Sequence, residues 1–148
     1  MPAARFGSYA GDVSVEETWD GLGSDPNAVL VDVRTQAEWT YVGIPALDTL
    51  GKSPVLIEWQ TFPNGALAPG FVERLTQELS ELGVSRDAPL YFICRSGSRS
   101  RSAAIAMTAA GFGRCFNVGP GFEGPMDEGG HRSSISGWKL AGLPWKQT

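Results

Sequence analysis

The side chain in this sequence best equipped for covalent chemistry lies in a run of basic and small residues, Cys94-Arg95-Ser96-Gly97-Ser98-Arg99-Ser100. A cysteine attacks as its thiolate, and whatever binds anions also favours that form: converging backbone N–H groups, guanidinium charge and a helix N-terminus. Arg95 and Arg99 bring positive charge, while Ser96, Ser98 and Ser100 bring hydroxyl donors. Gly97 lets the chain bend where a side chain would obstruct it. The run therefore assigns Cys94 as nucleophile and Arg95, Ser96, Gly97, Ser98, Arg99 and Ser100 as the cradle of an anionic substrate. An inert strand-end cysteine is the plainer alternative, and the arginines and glycine around Cys94 weigh against it.

Other reactive residues read differently. Cys115 opens an apolar segment beside a single arginine, Arg114, and is expected to be a buried, unreactive thiol. His131, the only histidine, falls in a polar stretch and reads as a solvated loop residue rather than a base. Arg34 stands four residues before Glu38, a spacing that predicts a structural ion pair, and Asp32 reads as structural too. The five tryptophans fall at element boundaries, as packing residues do. Arg101 and Lys139 are expected on solvated faces, with Arg101 near enough to the loop to steer anions.

The surrounding pattern explains how Cys94 would be presented. Apolar runs at 28–33, 55–59, 89–93 and 115–118 alternate with helix-period segments, so the chain reads as α/β. Ser14 to Glu17 and Thr35 to Glu38 are both capping boxes, the first opening a helix that stops at Gly23. Pro69 is placed early in a helix carrying Phe71, Val72, Leu75, Leu79 and Leu82, which Gly83 ends. Cys94 then sits between the strand at 89–93 and an Ala-rich helix from Arg99 to Ala110, where loop amides and a helix dipole point into one concavity. A short last helix is expected around 138–141. The Gly-rich connection at 119–137 is expected to form a mobile rim of the site.

Composition bounds the function. With 148 residues, 42% hydrophobic and 19% charged, the chain suits one domain spanning 1–148. A formal net charge of −4 argues against nucleic acid and anionic membranes as partners, since both demand an excess of Lys and Arg. Two cysteines are too few for a disulfide framework and lack metal-ligand spacing, which fits a reducing compartment. Met1 to Ser8 lacks the order of a secretory signal, so the expectation is cytoplasmic.

The Cys94 loop, with an arginine five residues after the cysteine, resembles the CRxGxRS active-site loop of single-domain rhodaneses. Asp32-Val33-Arg34 followed by Glu38-Trp39 is similar to that family's DVRxxxE(F/Y/W) segment. Gly43-Ile44-Pro45, Gly111-Phe112, Asn117-Val118-Gly119 and the stretch 138–144 extend the resemblance in order along nearly the whole chain. It implies a rhodanese-like five-stranded parallel sheet flanked by helices on both faces. It also implies a sulfurtransferase that carries sulfur on Cys94 as a persulfide, with Arg95, Arg99 and the 96–100 backbone holding an anionic donor such as thiosulfate. The acceptor would be a thiophile: cyanide, a small thiol or a protein thiol. No metal or organic cofactor is implied, and oligomeric state is left open. The sequence departs from the family in lacking the histidine usual between Gly43 and Ile44 and in the length of 119–137; both bear on substrate preference.

Two other functions compete. Cysteine phosphatases and arsenate reductases also set a thiolate under an anion loop, but those phosphatases place arginine six residues after cysteine, where this chain has Ser100. A non-catalytic rhodanese-like binding module commonly lacks the cysteine, which is present here.

Overall fold

The computed structural model describes residues 8–60 and 68–147. Apart from Ser8, the stretch read for a secretory signal lies outside them. A five-stranded, all-parallel sheet runs in the order β1 (Gly11–Val13), β6 (Cys115–Val118), β5 (Leu90–Ile93), β2 (Val29–Asp32), β4 (Val55–Leu56). The chain is thus an α/β fold with the five-stranded parallel sheet that the family resemblance implied. A separate antiparallel pair joins β3 (Ile44–Pro45) to β7 (Trp145–Lys146).

Side-chain alternation along the strands sorts the core into two layers, because successive residues of a strand point to opposite faces. Leu90, Phe92 and Cys94 face one cluster with Leu75 and Leu79 of α3 (Phe71–Glu81) and Ala103, Ala104 and Met107 of α4 (Ser98–Ala109). Tyr91 and Ile93 face the other, with Val15 and Leu22 of α1 (Val15–Ser24), Phe122 and Trp138. Both sides of the central strands are covered, as a parallel sheet requires.

Both capping boxes form. The Ser14 hydroxyl oxygen accepts from the Glu17 amide and the Glu17 carboxylate accepts from the Ser14 amide, opening α1; Thr35 and Glu38 do the same for α2 (Gln36–Tyr41). Four local expectations shift. The run at 55–59 is ladder only at Val55–Leu56, although the amides of Ile57 and Trp59 still donate to the carbonyls of Asp32 and Val33. Pro69 precedes the N-cap Gly70 instead of lying inside α3, and α1 continues through Gly23 to Ser24. The last helix shrinks to one turn, with the Ala141 amide on the Gly137 carbonyl, before the chain straightens into β7.

Residues 119–137 are pinned at both ends. Phe122 and Trp138 are fully buried, the Trp138 amide donates to the Gly121 carbonyl, and the Trp138 indole N–H donates to the Pro144 carbonyl at 2.7 Å. Among the described residues, no helix is long and apolar enough to cross a membrane.

Candidate active site

Strand β5 delivers Cys94 to the carboxyl edge of the sheet, the usual place for sites in open α/β folds. The next three residues turn back so that α4 starts beside the sulfur. Gly97 sits at φ +99°, and a Cβ there would collide with the Gly119 carbonyl oxygen, so glycine is required on both counts. The turn directs the Gly97 N–H at Cys94 Sγ (3.1 Å) and brings the Ser100 hydroxyl to 3.2 Å from it. A sulfur receiving two donors is set up to carry negative charge. No side chain caps α4, so its first-turn amides are left to the loop.

The loop is braced from behind. The Phe122 amide donates to the Cys94 carbonyl, and the amides of Glu123 and Gly124 both donate to the Arg95 carbonyl. Gly121, at φ +75°, passes so close that a Cβ would overlap the backbone of Cys94 and Arg95. The start of the 119–137 connection therefore backs Cys94 and Arg95.

The charges pair otherwise than the helical spacing suggested. Arg34, fully buried, forms its ion pair with Asp32 at 2.7 Å, donates to the Gly43 carbonyl and lies 4.2 Å over the Phe122 ring. Glu38 instead grips Arg99 with two bonds of 2.6 and 3.0 Å. Spacing along one helix could not anticipate this, because Arg99 is brought across from α4 by the sheet. Burial acts to raise the Glu38 carboxyl, yet hydrogen bonding and charge from Arg99 outweigh it and hold the group below its ordinary value. A charge on Cys94 would also act on the Arg99 guanidinium.

The sequence-assigned residues thus divide. Cys94, Gly97 and Ser100 are buried together; Arg99 is half-buried and clamped; Arg95, Ser96 and Ser98 are exposed on the outside of the turn. A pocket of about 350 Å³ opens beside them, lined in part by Asp12, Ser96, Ser98, Arg101 and Asn117. Asn117 and Asp12 were not singled out as functional by the sequence reading, although a lone amide in the apolar strand Cys115–Val118 was a signal. Asn117 accepts from Ser100 (2.6 Å) and donates to Asp12 (3.0 Å) and to the Gly97 carbonyl (3.2 Å).

Cys115, His131 and Arg101 lie as expected, and Lys139 does not. Cys115 is buried, its sulfur 3.4 Å from the Phe112 carbonyl, and burial pushes its thiol up to about 11. His131 is exposed beside Asp127, and Arg101 is exposed. Lys139 is not on an open face: it lies half-buried with its ammonium 3.9 Å from the Trp145 ring, and desolvation lowers it. Among the described residues, no three or more His, Cys, Asp or Glu gather as a metal site would need.

Known proteins resemble this chain in sequence and in fold. The crystal structure of Rv0390 from M. tuberculosis superposes with a TM-score of 0.86 at 44% identity, covering 95% of this chain and 100% of that one. An uncharacterized protein of Rickettsia conorii is 36% identical over 88% of this chain and 92% of its own length. The rhodanese-like domain-containing protein 4 of Arabidopsis thaliana, a chloroplastic protein, is 30% identical over 89% of this chain but only 25% of its own length. The polysulfide-sulfur transferase of Wolinella succinogenes shares the fold, with a TM-score of 0.54 at 19% identity over 92% of this chain and 77% of that one. The family described as the STR4 middle domain matches residues 10–148, and with the rhodanese-like sheet and the loop at its carboxyl edge already in place, the chain belongs to that family.

Proposed function

We propose that this protein is a rhodanese-type sulfurtransferase that carries sulfur as a persulfide on Cys94. The observation that carries the reading is Cys94 Sγ itself, which takes hydrogen bonds from the Gly97 amide and the Ser100 hydroxyl in a loop where Arg99 supplies positive charge. In the first half-reaction the thiolate attacks the outer sulfur of an anionic donor such as thiosulfate. A new S–S bond forms, the bond to the sulfonate sulfur breaks, and its electron pair leaves with sulfite. In the second, cyanide or a small or protein thiol attacks that outer sulfur and Cys94 departs as the thiolate. The transferred sulfur keeps its oxidation level, so the balance closes without added oxidant or reductant.

Access supports a small donor. Cys94 is only 1% exposed, which suits the terminal sulfur of a slim anion better than a bulky ester. Once formed, the outer sulfur stands about 2 Å farther out, within reach of an acceptor. The exposed Arg95, Ser96 and Ser98 would meet the charged end of the donor, while Arg99 offsets the charge developing at sulfur. The two free thiols suit a reducing compartment, and we place the protein in the cytoplasm without nucleic-acid or membrane partners.

The test is a thiosulfate:cyanide assay. Cys94→Ser is expected to reduce turnover to background, and Cys115→Ser to keep most of it, because Cys115 is sealed in the core. Equal losses, or brisk hydrolysis of p-nitrophenyl phosphate in place of thiocyanate formation, would overturn the reading.

A further inference from the structure

The Ser100 hydroxyl has two acceptors and one proton. Its oxygen lies 3.2 Å from Cys94 Sγ and 2.6 Å from Asn117 Oδ1. The orientation of the Asn117 amide is not free: its NH2 faces two groups that only accept, the Asp12 carboxylate at 3.0 Å and the Gly97 carbonyl at 3.2 Å. The oxygen of that amide must therefore face Ser100. Ser100 is fully buried and Asn117 3% exposed, so water does not readily replace these bonds. Asp12, at the exposed edge strand β1, also accepts from the Tyr9 hydroxyl at 2.8 Å, which holds the carboxylate in place.

We propose that Asn117, locked by Asp12 and the Gly97 carbonyl, is a positioning residue that takes the Ser100 hydrogen bond whenever the Cys94 sulfur is uncharged and releases it to the thiolate, so that it competes with the sulfur for one proton. With a thiol, the S–H donates to Ser100 and Ser100 donates to Asn117, so every group is satisfied. With a thiolate, the Ser100 proton turns to the sulfur. With a persulfide, charge moves to the outer sulfur and the proton returns to Asn117. No covalent bond beyond those of the transfer itself is made or broken; the relay only follows the charge. The inference rests on Cys94 being the reactive thiolate. The other charged groups of the loop and the elements beside it are Arg99 of α4 paired with Glu38 of α2, Arg34 paired with Asp32 of β2, and Arg95, and none of these touches Asn117 in the bonds above.

The experiment measures iodoacetamide alkylation of Cys94 in the intact protein at neutral pH, read by peptide mass. It needs no sulfur donor, so the relay can fail while sulfur transfer stands, and the reverse. Ser100→Ala is expected to slow alkylation roughly three- to tenfold, the loss of one hydrogen bond to an anion tempered by higher intrinsic nucleophilicity. Asn117→Ala, which leaves the Ser100 proton only the sulfur to bond, is expected to speed alkylation about two- to fivefold, and the double variant to be as slow as Ser100→Ala alone, because Asn117 acts through Ser100. An unchanged or slower rate in Asn117→Ala, or a double variant faster than Ser100→Ala, would overturn the proposal.

A second pair keeps the test sound should Asn117→Ala fold poorly. Asp12→Ala and Asp12→Asn remove the same charge, but only the asparagine can still accept from the Asn117 amide. Asp12→Ala, which frees the Asn117 amide to turn away from Ser100, is expected to alkylate about two- to threefold faster than Asp12→Asn, the effect of a single neutral hydrogen bond acting at one remove. Equal rates in the two would overturn the relay.

Discussion

One carboxylate, Glu38, closes the capping box of α2 and clamps Arg99 at the start of α4, beside the Cys94 loop. Arg99 holds its carboxyl low against the opposing pull of burial, so the folded protein binds a proton there less readily than the unfolded chain does. A depressed carboxylate contributes stability that is fully present above the unfolded value, about 4.3, and is lost as pH falls through the folded one. Glu38→Gln is therefore expected to cost on the order of 1 kcal/mol at neutral pH. The gap from wild type should narrow in urea titrations taken progressively below pH 4; a gap constant from pH 7 to pH 3 would show that the clamp contributes nothing electrostatic. The loop at the carboxyl end of β5 was legible because Cys94, Gly97 and Arg99 are neighbours in sequence. The pairing of Glu38 with Arg99, and that of Ser100 with Asn117, were not, because both join residues of separate elements.

Elements with self-contained signals were legible: two capping boxes, the apolar strands, the α3 stripe of Phe71, Leu75 and Leu79. Strand β1 was missed because Gly11–Val13 has no pattern of its own and exists by pairing with β6. The last helix failed to extend because Gly142, at φ +76°, and Pro144 end it after one turn. The connection after β6 was read as a rim, whereas residues 122–124 bond to the Cys94 and Arg95 carbonyls. Gly121→Ala should therefore push the nucleophile's backbone out of place and lower thiosulfate turnover by at least about tenfold, the usual penalty for misplacing a reacting group. Gly113→Ala, where an added methyl meets nothing within 4 Å, is the comparison and should stay near wild type. Equal activity of the two variants would show that the brace does not position the loop.

For the whole molecule, alternation of strand and helix fixed the α/β class, and the family resemblance supplied the five-stranded parallel sheet, which is observed. Strand order was beyond pattern reading, since β1 and β6 pair across about a hundred residues of chain and nothing local announces it. The tail is bound to the rest through Trp138, fully buried, edge-on to Trp19 at 6.0 Å and hydrogen-bonded to Pro144. Trp138→Ala is expected to cost about 3–5 kcal/mol in denaturant unfolding, the range for an aromatic deleted from a core, and a cost under about 1 kcal/mol would mean that the tail is not part of the cooperative unit. The proposed transfer comes down to one sulfur atom, and the most direct test is to weigh it. After incubation with thiosulfate and removal of small molecules, the intact protein is expected to gain the mass of a single sulfur atom, carried by the Cys94 peptide and removed by cyanide or dithiothreitol. An unchanged mass, or an adduct on Cys115 instead, would contradict the account.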